Sequence, residues 1–143
     1  MIKQVSIYTA NTKGAMKKIT GILKDNDINL IALVTNDSAE YGIVRLLASD
    51  SEKTLEVLTN AGYMARITKV IGVRIDDHCG GLDTLLGSLL DSNIDVDYVY
   101  ISYDRSAKSV IAVFDCDGKF EVEESLKNKG YEVMKDKDMA LNI

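Results

Sequence analysis

The chemically most reactive residue types lie in one short run, Asp76-Asp77-His78-Cys79, which combines two carboxylates, an imidazole and a thiol. Such groups bind zinc or perform acid–base catalysis when further ligands stand at suitable spacing. However, His78 is the single histidine of the chain, and Cys116, the only other cysteine, forms no CxxC pair with Cys79. No Ser/His/Asp or Cys/His set can be assigned. We therefore expect free thiols, no metal site, no cofactor and no catalytic residues. The neighbouring acids are expected to favour a charged His78.

This run lies in the loop of a strand–loop–helix unit, and the unit occurs twice in the chain. In the second half, a strand with alternating Val73 and Ile75 leads into the loop, and an amphipathic helix follows it. In the first half, the matching loop runs from Thr9 to Gly14. A glycine at the start of a helix lets backbone N–H groups approach a ligand, and the helix N-terminus favours an anion. Each loop is therefore a candidate anion-binding site, although a glycine at such a position, taken alone, more often serves only the strand-to-helix turn.

An internal repeat organises the whole chain. A shift of 66 residues superimposes two segments of the first half on the second, and a two-residue slip aligns a third. The paired segments are Gly14–Leu23 with Gly80–Leu89, Val44–Ala48 with Val110–Phe114, and Leu58–Tyr63 with Leu126–Tyr131. The predicted domains are residues 1–69 and 70–143.

Each half follows the order β-α-β-β-α-β. Strands are indicated by an apolar period of two, and helices by apolar residues three and four apart. The second helix of each half is predicted to begin after Asp50-Ser51 or Asp117, residues that can cap it, and to end at Gly62 or Gly130. A short strand should follow each of these glycines. The pattern predicts an α+β fold of two ferredoxin-like units packed side by side, with a joined antiparallel sheet and four helices on one face.

Two further features bear on packing. Gly21 and Gly87 stand at matched mid-helix positions, where glycine costs about 1 kcal/mol relative to alanine, so a close backbone approach is expected there. Four strand residues look too apolar for an open sheet face, which predicts a homodimer. They are Val5, Ile7, Val44 and Leu46.

The first loop and its surroundings resemble an ACT domain. The resemblance rests on Asn11-Thr12-Lys13-Gly14-Ala15-Met16 and Ile28-Asn29-Leu30, with weaker counterparts in Asp77-His78-Cys79-Gly80-Gly81-Leu82 and Ile94-Asp95-Val96. The third strand carries Tyr41-Gly42-Ile43-Val44-Arg45, similar to an element of small stand-alone proteins with two ACT domains. The resemblance covers nearly the whole chain, twice, and many ACT sequences have proline where this one has Lys13 and Cys79.

The resemblance implies a ligand site in each half. Backbone amides near the loop glycine would hold the ligand carboxylate, and the polar pairs Asn11 with Asn29 and Asp77 with Asp95 would meet its amino group or polar tail. For each polar residue, an Asx cap on the next turn is an equally good interpretation. Tyr98 and Tyr100 share a strand face and could wall a pocket. The implied ligand-binding residues are Asn11, Thr12, Gly14, Ala15, Asn29, Leu30, Asp77, His78, Gly80, Gly81, Asp95, Val96, Tyr98 and Tyr100.

The function implied by the resemblance is that of a regulatory or sensor protein that binds a free amino acid between its two ACT units and has no catalytic activity. One alternative is a detached regulatory subunit of an amino-acid biosynthetic enzyme, such as acetolactate synthase, which would then be a partner. Another is a small enzyme of acylphosphatase type, which would need an arginine in the first loop. Neither loop contains one.

Charge and hydropathy narrow the range of partners. The net charge of −5 repels phosphate backbones and anionic membranes. No apolar run approaches the roughly 20 residues that cross a bilayer, and the first residues show no secretory pattern. The sequence thus predicts a cytoplasmic protein that binds neither nucleic acid nor membrane.

Overall fold

A computed structural model describes residues 1–10, 12–36, 41–104 and 107–140. The elements in these ranges are, in chain order, β1 (Ile2–Ala10), α1 (Ala15–Asp25), β2 (Leu30–Asn36), β3 (Tyr41–Ala48), α2 (Ser51–Asn60), β4 (Met64–Ile75), α3 (Gly81–Asp91), β5 (Val96–Asp104), β6 (Ser109–Cys116), α4 (Lys119–Asn128) and α5 (Asp136–Ala140).

The chain divides into two compact units. The first unit is Lys3–Thr68, and the second combines Met1–Ile2 with the residues from Lys69 onward. The long strand β4 begins in the first unit and ends in the second. Compactness alone does not show that each unit folds independently, so the division into two domains stays a prediction.

The first unit has the strand order β2-β3-β1-β4. Both β1 and β2 pair antiparallel with β3, for example Ile7 with Val44 and Leu33 with Leu46. Alternate strand residues point to one face, where they meet the apolar stripes of α1 and α2. The buried core there consists of Val5, Ile7, Ile19, Leu23, Ile28, Val44, Leu46, Ala48 and Leu58.

The second unit repeats this plan with the order β4-β6-β5. Strand β6 pairs antiparallel with both neighbours, and the segment after α4 meets β4 through a single bridge between Val73 and Val133. The core again lies between one sheet face and two helices. Its buried members are Ile71, Val73, Ile75, Leu85, Leu89, Ala112, Phe114, Cys116, Val122 and Leu126. The prediction of two ferredoxin-like units is confirmed.

The helix ends largely follow the sequence signals. The Asp50 carboxylate caps α2 by accepting a hydrogen bond from the Lys53 backbone N–H at 3.0 Å. Gly62 and Gly130 take left-handed backbone angles, with φ of 92° and 90°, just beyond α2 and α4. The predicted cap by Asp117 is wrong, because Gly118 occupies the N-cap of α4 and no side-chain cap is present.

Two other predictions for the helices and strands are wrong. The last strand predicted after Tyr131 is only the Val133 bridge, and the unpredicted helix α5 follows it. The mid-helix glycines make no close approach to the described residues. A Cβ at Gly87 would meet nothing within 4 Å, and one at Gly21 would meet only the Lys17 ammonium at 3.9 Å.

The argument offered for homodimerisation is also corrected. Val5, Ile7, Val44 and Leu46 are all at most 2% exposed, because they face the helices of the first unit and form its core. These four residues expose no apolar surface that a second copy of the chain would have to bury, so the homodimer stays a prediction without this support.

The two cysteines are free, as predicted, and lie in different surroundings. Cys79 is exposed in the loop before α3, whereas Cys116 is buried in the core of the second unit. Burial, aided by the nearby Asp115 carboxylate, raises the pKa of the Cys116 thiol. A thiol in that position packs as a small apolar residue.

Candidate functional site

In both units the loop before the first helix enters that helix through a left-handed glycine. Gly14 and Gly80 are the N-caps of α1 and α3, with φ of 83° and 94°, and neither helix has a side-chain cap there. This left-handed region is costly for residues with a Cβ, which explains the glycines. The Ala15 N–H donates to the Thr12 carbonyl oxygen at 3.1 Å, and the Gly81 N–H to the His78 carbonyl oxygen at 3.2 Å. The next amides of each helix have no intrahelical partner and lie at the positive end of the helix dipole.

The cleft of the first unit has a volume of about 430 Å³. It lies between the loop, the end of β2 and the start of β3, and contains the predicted site residues Thr12, Gly14 and Ala15. The other residues lining it are Thr9, Ala10, Met16, Lys17, Thr35, Asn36, Gly42, Ile43 and Val44. Its described walls are therefore mostly small, apolar or hydroxyl-bearing, with the Lys17 ammonium as the one charge.

The cleft of the second unit has a volume of about 480 Å³ and is far more charged. It contains the predicted Asp77, His78 and Gly81, while Gly80 belongs to the same loop without lining the cleft. Its remaining walls come from the end of β4 and the loop after it, from α3, from the turn before β6 with the first residue of β6, and from the segment after α4. They are Arg74, Ile75, Asp76, Thr84, Lys108, Ser109, Lys129, Gly130, Tyr131 and Glu132.

The structure does not bring Asn29 or Asp95 to these clefts. Leu30, next to Asn29, pairs with Ala48, whereas the first cleft adjoins the other end of the ladder, where Asn36 pairs with Ile43. Six residues of strand span roughly 20 Å. Asn29 is instead exposed near the start of β2, where its backbone N–H donates to Ser49 Oγ at 3.0 Å. The helix carries the chain back along the sheet, so the next strand begins at the end far from the loop. The separation of eighteen residues between the two members of each polar pair did not reveal this.

The same geometry separates Asp95 and Val96 from the second cleft. Val96 pairs with Cys116, at the end of the ladder opposite the Asp104–Ser109 pair beside the cleft. The distance between these ends is roughly 25 Å at about 3.3 Å per residue. Leu30 and Val96 are half-buried residues that start edge strands, so their place in the structure is accounted for by packing.

Tyr98 and Tyr100 lie on one strand face, as predicted, but do not line either cleft. The Tyr98 hydroxyl donates to Asp115 Oδ2 at 3.3 Å, and Tyr100 is only 8% exposed. Tyr98 pairs with Asp115 near the end of β6, and Tyr100 pairs with Val113 nearer its middle. Asn11, the remaining predicted site residue, lies outside the described residues.

His78 is exposed and its surroundings favour the charged form. Its Nδ1 lies 2.9 Å from the Cys79 carbonyl oxygen, and its Nε2 lies 3.5 Å from Asp76 Oδ2. The hydrogen bond to the Cys79 carbonyl and the negative charge of Asp76 raise the pKa of His78 above its ordinary value. The predicted direction is confirmed, although the largest cause is the backbone carbonyl. Among the described residues, no three His, Cys, Asp or Glu side chains converge to hold a metal ion.

Sequence reasoning missed the arginine of the second cleft. Arg74 alternates with the buried Val73 and Ile75, so its side chain points to the opposite sheet face. Its guanidinium donates to Asp104 Oδ2 at 3.0 Å, to Glu132 Oε2 at 2.8 Å and to Ser109 Oγ. The sequence did contain a signal for Arg74 as a site residue, namely a lone arginine between two apolar strand residues just before a candidate loop.

A family model described as an ACT domain pair matches residues 1–143. The chain belongs to this family. The resemblance noted from the two loop motifs is thereby confirmed, and each unit can be called an ACT unit.

Solved structures show the same architecture. A protein from Bacteroides thetaiotaomicron superimposes with a TM-score of 0.88 at 27% identity, covering 97% of this chain and 95% of that one. The ligand-free regulatory subunit of aspartate kinase from Thermus thermophilus gives 0.59 at 12% identity, covering 78% and 80% of the two chains. Aspartokinase alpha and beta subunits give 0.54 at 16%, covering 80% and 87%. The last two likenesses show the fold alone.

No curated protein matches the chain. Within the ranges that the structure describes, no helix is both long enough and apolar enough to span a membrane.

Proposed function

We propose that this ACT domain pair is a regulatory protein that binds a free amino acid and performs no catalysis. The observation that carries the proposal is the pair of clefts of about 430 and 480 Å³, each beside an uncapped helix N-terminus that begins at a left-handed glycine. Clefts of this size accommodate small metabolites. The amides of the first helical turn that lack intrahelical partners, together with the helix dipole, suit the α-carboxylate that every amino acid carries.

The proposal assigns the ligand carboxylate to the loops of Gly14 and Gly80. Thr12 and Ala15 would line the ligand in the first ACT unit, and Asp77, His78 and Gly81 in the second. A ligand regulates a protein when it binds one arrangement of that protein more tightly than another and so shifts the equilibrium between them. This requires binding but no catalysed reaction.

Titration of the full chain with each of the twenty amino acids by calorimetry tests this proposal, with thermal unfolding as a second readout. At least one amino acid should bind with a 1:1 or 2:1 stoichiometry and raise the unfolding temperature. If none of the twenty releases heat or shifts unfolding, the proposed function is wrong.

A second candidate is a detached regulatory subunit of an amino-acid biosynthetic enzyme. It is favoured by the fold shared with separate regulatory subunits of aspartate kinase. An enzyme of acetolactate synthase type would be one such partner. Affinity purification of the tagged chain at native abundance separates the candidates, because a subunit should bring down one catalytic chain in stoichiometric amount and a free sensor should not.

A further inference from the structure

In the second ACT unit, one arginine is shared by two carboxylates in very different environments. Arg74 itself is 22% exposed and lines the cleft. The Asp104 side chain is 3% exposed, and its second oxygen accepts the Ala107 backbone N–H at 3.2 Å. The Glu132 side chain is 65% exposed. Asp104 therefore holds the guanidinium in place, whereas Glu132 contacts it from the open side.

The exposed partner is the easier one to replace. Ion pairs in water contribute little to stability, because solvent screens the charges and long side chains lose freedom. The Glu132 backbone is held separately, since its carbonyl accepts the Arg74 backbone N–H at 2.9 Å. The Glu132 side chain can thus leave while the strand segment stays paired. Guanidinium groups bind carboxylates strongly and with defined geometry, so the vacated position suits another carboxylate.

We infer that Glu132 occupies the place of a ligand carboxylate, and that the cleft of the second ACT unit takes an acidic amino acid whose side-chain carboxylate displaces Glu132 from Arg74. This inference rests on the proposed function and names its ligand class. Glu132 is itself a side-chain carboxylate on a short methylene stem, so a free glutamate or aspartate presents the same group to Arg74.

The other charges of the cleft match such a ligand. An acidic amino acid carries two carboxylates and one ammonium. Arg74 and Lys108 supply two cations, and Asp77 supplies an anion, all lining the same cleft. Lys129 also lines the cleft, but its ammonium is already engaged, since it donates to Ser92 Oγ at 2.8 Å and to Ser88 at 3.3 Å. His78 already has Asp76 as its neighbour.

The first ACT unit lacks this arrangement. The 66-residue shift places Tyr8 opposite Arg74 and Ile43 opposite Ser109. The Tyr8 ring is covered by the Arg66 guanidinium at 5.9 Å, which is a cation–π contact rather than a carboxylate site. Selection for acidic ligands should therefore belong to the second unit alone.

The test compares L-glutamate and L-aspartate with their uncharged isosteres L-glutamine and L-asparagine by calorimetry on the full chain. At least one acid should bind about tenfold more tightly than its amide, since a charge-assisted hydrogen bond is lost with the amide. Glu132→Gln should raise the affinity for that acid by about two- to fivefold, because it removes the competitor from Arg74. Glu56→Gln, an exposed change on α2, should leave it unaltered.

The sign of the Glu132→Gln effect is decisive. Unchanged or weaker binding in this variant overturns the inference, as does equal binding of acid and amide. Arg74→Lys should weaken binding of the acid by about tenfold, and if that variant does not fold, the Glu132→Gln comparison still decides. Binding of neutral amino acids without the acidic ones refutes this inference but leaves the proposed function standing, whereas binding of none refutes both.

Discussion

The two clefts show how far duplicated sites can diverge on one backbone plan. Gly14 and Gly80 differ by only 11° in φ, from 83° to 94°, and both precede an uncapped helix. Yet the matched positions around them carry Ala10 and Gly42 in one unit, and Asp76 and Lys108 in the other. The backbone is constrained by the strand-to-helix turn and the core beneath it, while residues that line the cleft face solvent.

The backbone of the strand-to-helix turn and the chemistry of the residues lining the cleft can therefore vary independently. Side chains buried beneath the loops, such as Ile19 and Leu85, are 0% exposed in both units and must remain apolar. The side chains above them carry no such requirement, so the two sites can respond to different ligands. Three pairs of substitutions and one pH titration test whether the two units differ in this way.

The largest effect is expected where the two loops differ in path. A Cβ on Gly81 would lie 2.4 Å from the Asp76 carbonyl oxygen, whereas the matched position of the first unit is already Ala15. Gly81→Ala should destabilise the chain by about 1–3 kcal/mol, because the loop backbone must move. Ala15→Gly should cost at most about 1 kcal/mol. Urea unfolding measures both, and equal small losses would show that the loops follow the same path.

The next largest effect concerns the glycines that the two loops share. Gly14→Val and Gly80→Val place a β-branched residue in the left-handed region, at a cost of about 1–2 kcal/mol each. Each should weaken amino-acid binding at its own cleft by about tenfold or more and spare the other. Gly118→Val is the matched control, since its φ of 62° imposes similar strain away from both clefts. Wild-type affinity in both loop variants would discard these loops as the sites.

A smaller effect of opposite sign is expected at the mid-helix glycines. Gly21→Ala and Gly87→Ala add a methyl group where the described chain leaves room, so each should stabilise its unit by up to about 1 kcal/mol. Thermal unfolding and sedimentation on the same samples check this. If either variant instead loses stability together with its oligomeric state, the glycine faces another copy of the chain.

The smallest effect is a pH dependence that only the loop of the second unit should show, through His78. The pKa of His78 is raised by its bond to the Cys79 carbonyl and by Asp76, whereas the first loop has no titrating counterpart, since Thr12 occupies the matched position. Protonation therefore favours the folded state. The contribution is complete below the ordinary value of about pH 6.5 and is lost as pH rises through the folded pKa. An NMR titration should show the raised value, and Asp76→Asn should lower it; no response to that substitution would remove Asp76 as a cause.

Much of the fold was predictable because it depends on local periodicity. The repeat, the nine helices and strands other than β4 and α5, and the helix ends at Gly62 and Gly130 all follow from apolar spacing and glycine placement. The last strand of the second unit was not predictable in this way. A few residues after Tyr131 carry too little pattern to distinguish a strand from one isolated bridge.

The candidate site was predictable only in part, for a different reason. Thr12, Gly14, Ala15, Asp77, His78 and Gly81 line the clefts because they belong to the loops themselves. Asn29 and Asp95 lie at the far ends of their sheets because chain direction, which a spacing does not encode, carries them there. Arg74, Lys108 and Glu132 come from three segments that only the folded second unit brings together.

The duplication, the ferredoxin-like order and the family can be inferred from the amino-acid sequence alone, since they rest on periodicity, on glycines and on motifs within short stretches. Which charges share a cleft depends on the folded chain, because strand register and the turns that connect the strands set which distant residues become neighbours. The asymmetry first visible as Asn11 against Asp77 thus becomes a difference between a nearly uncharged cleft and one built around Arg74, Asp104 and Glu132.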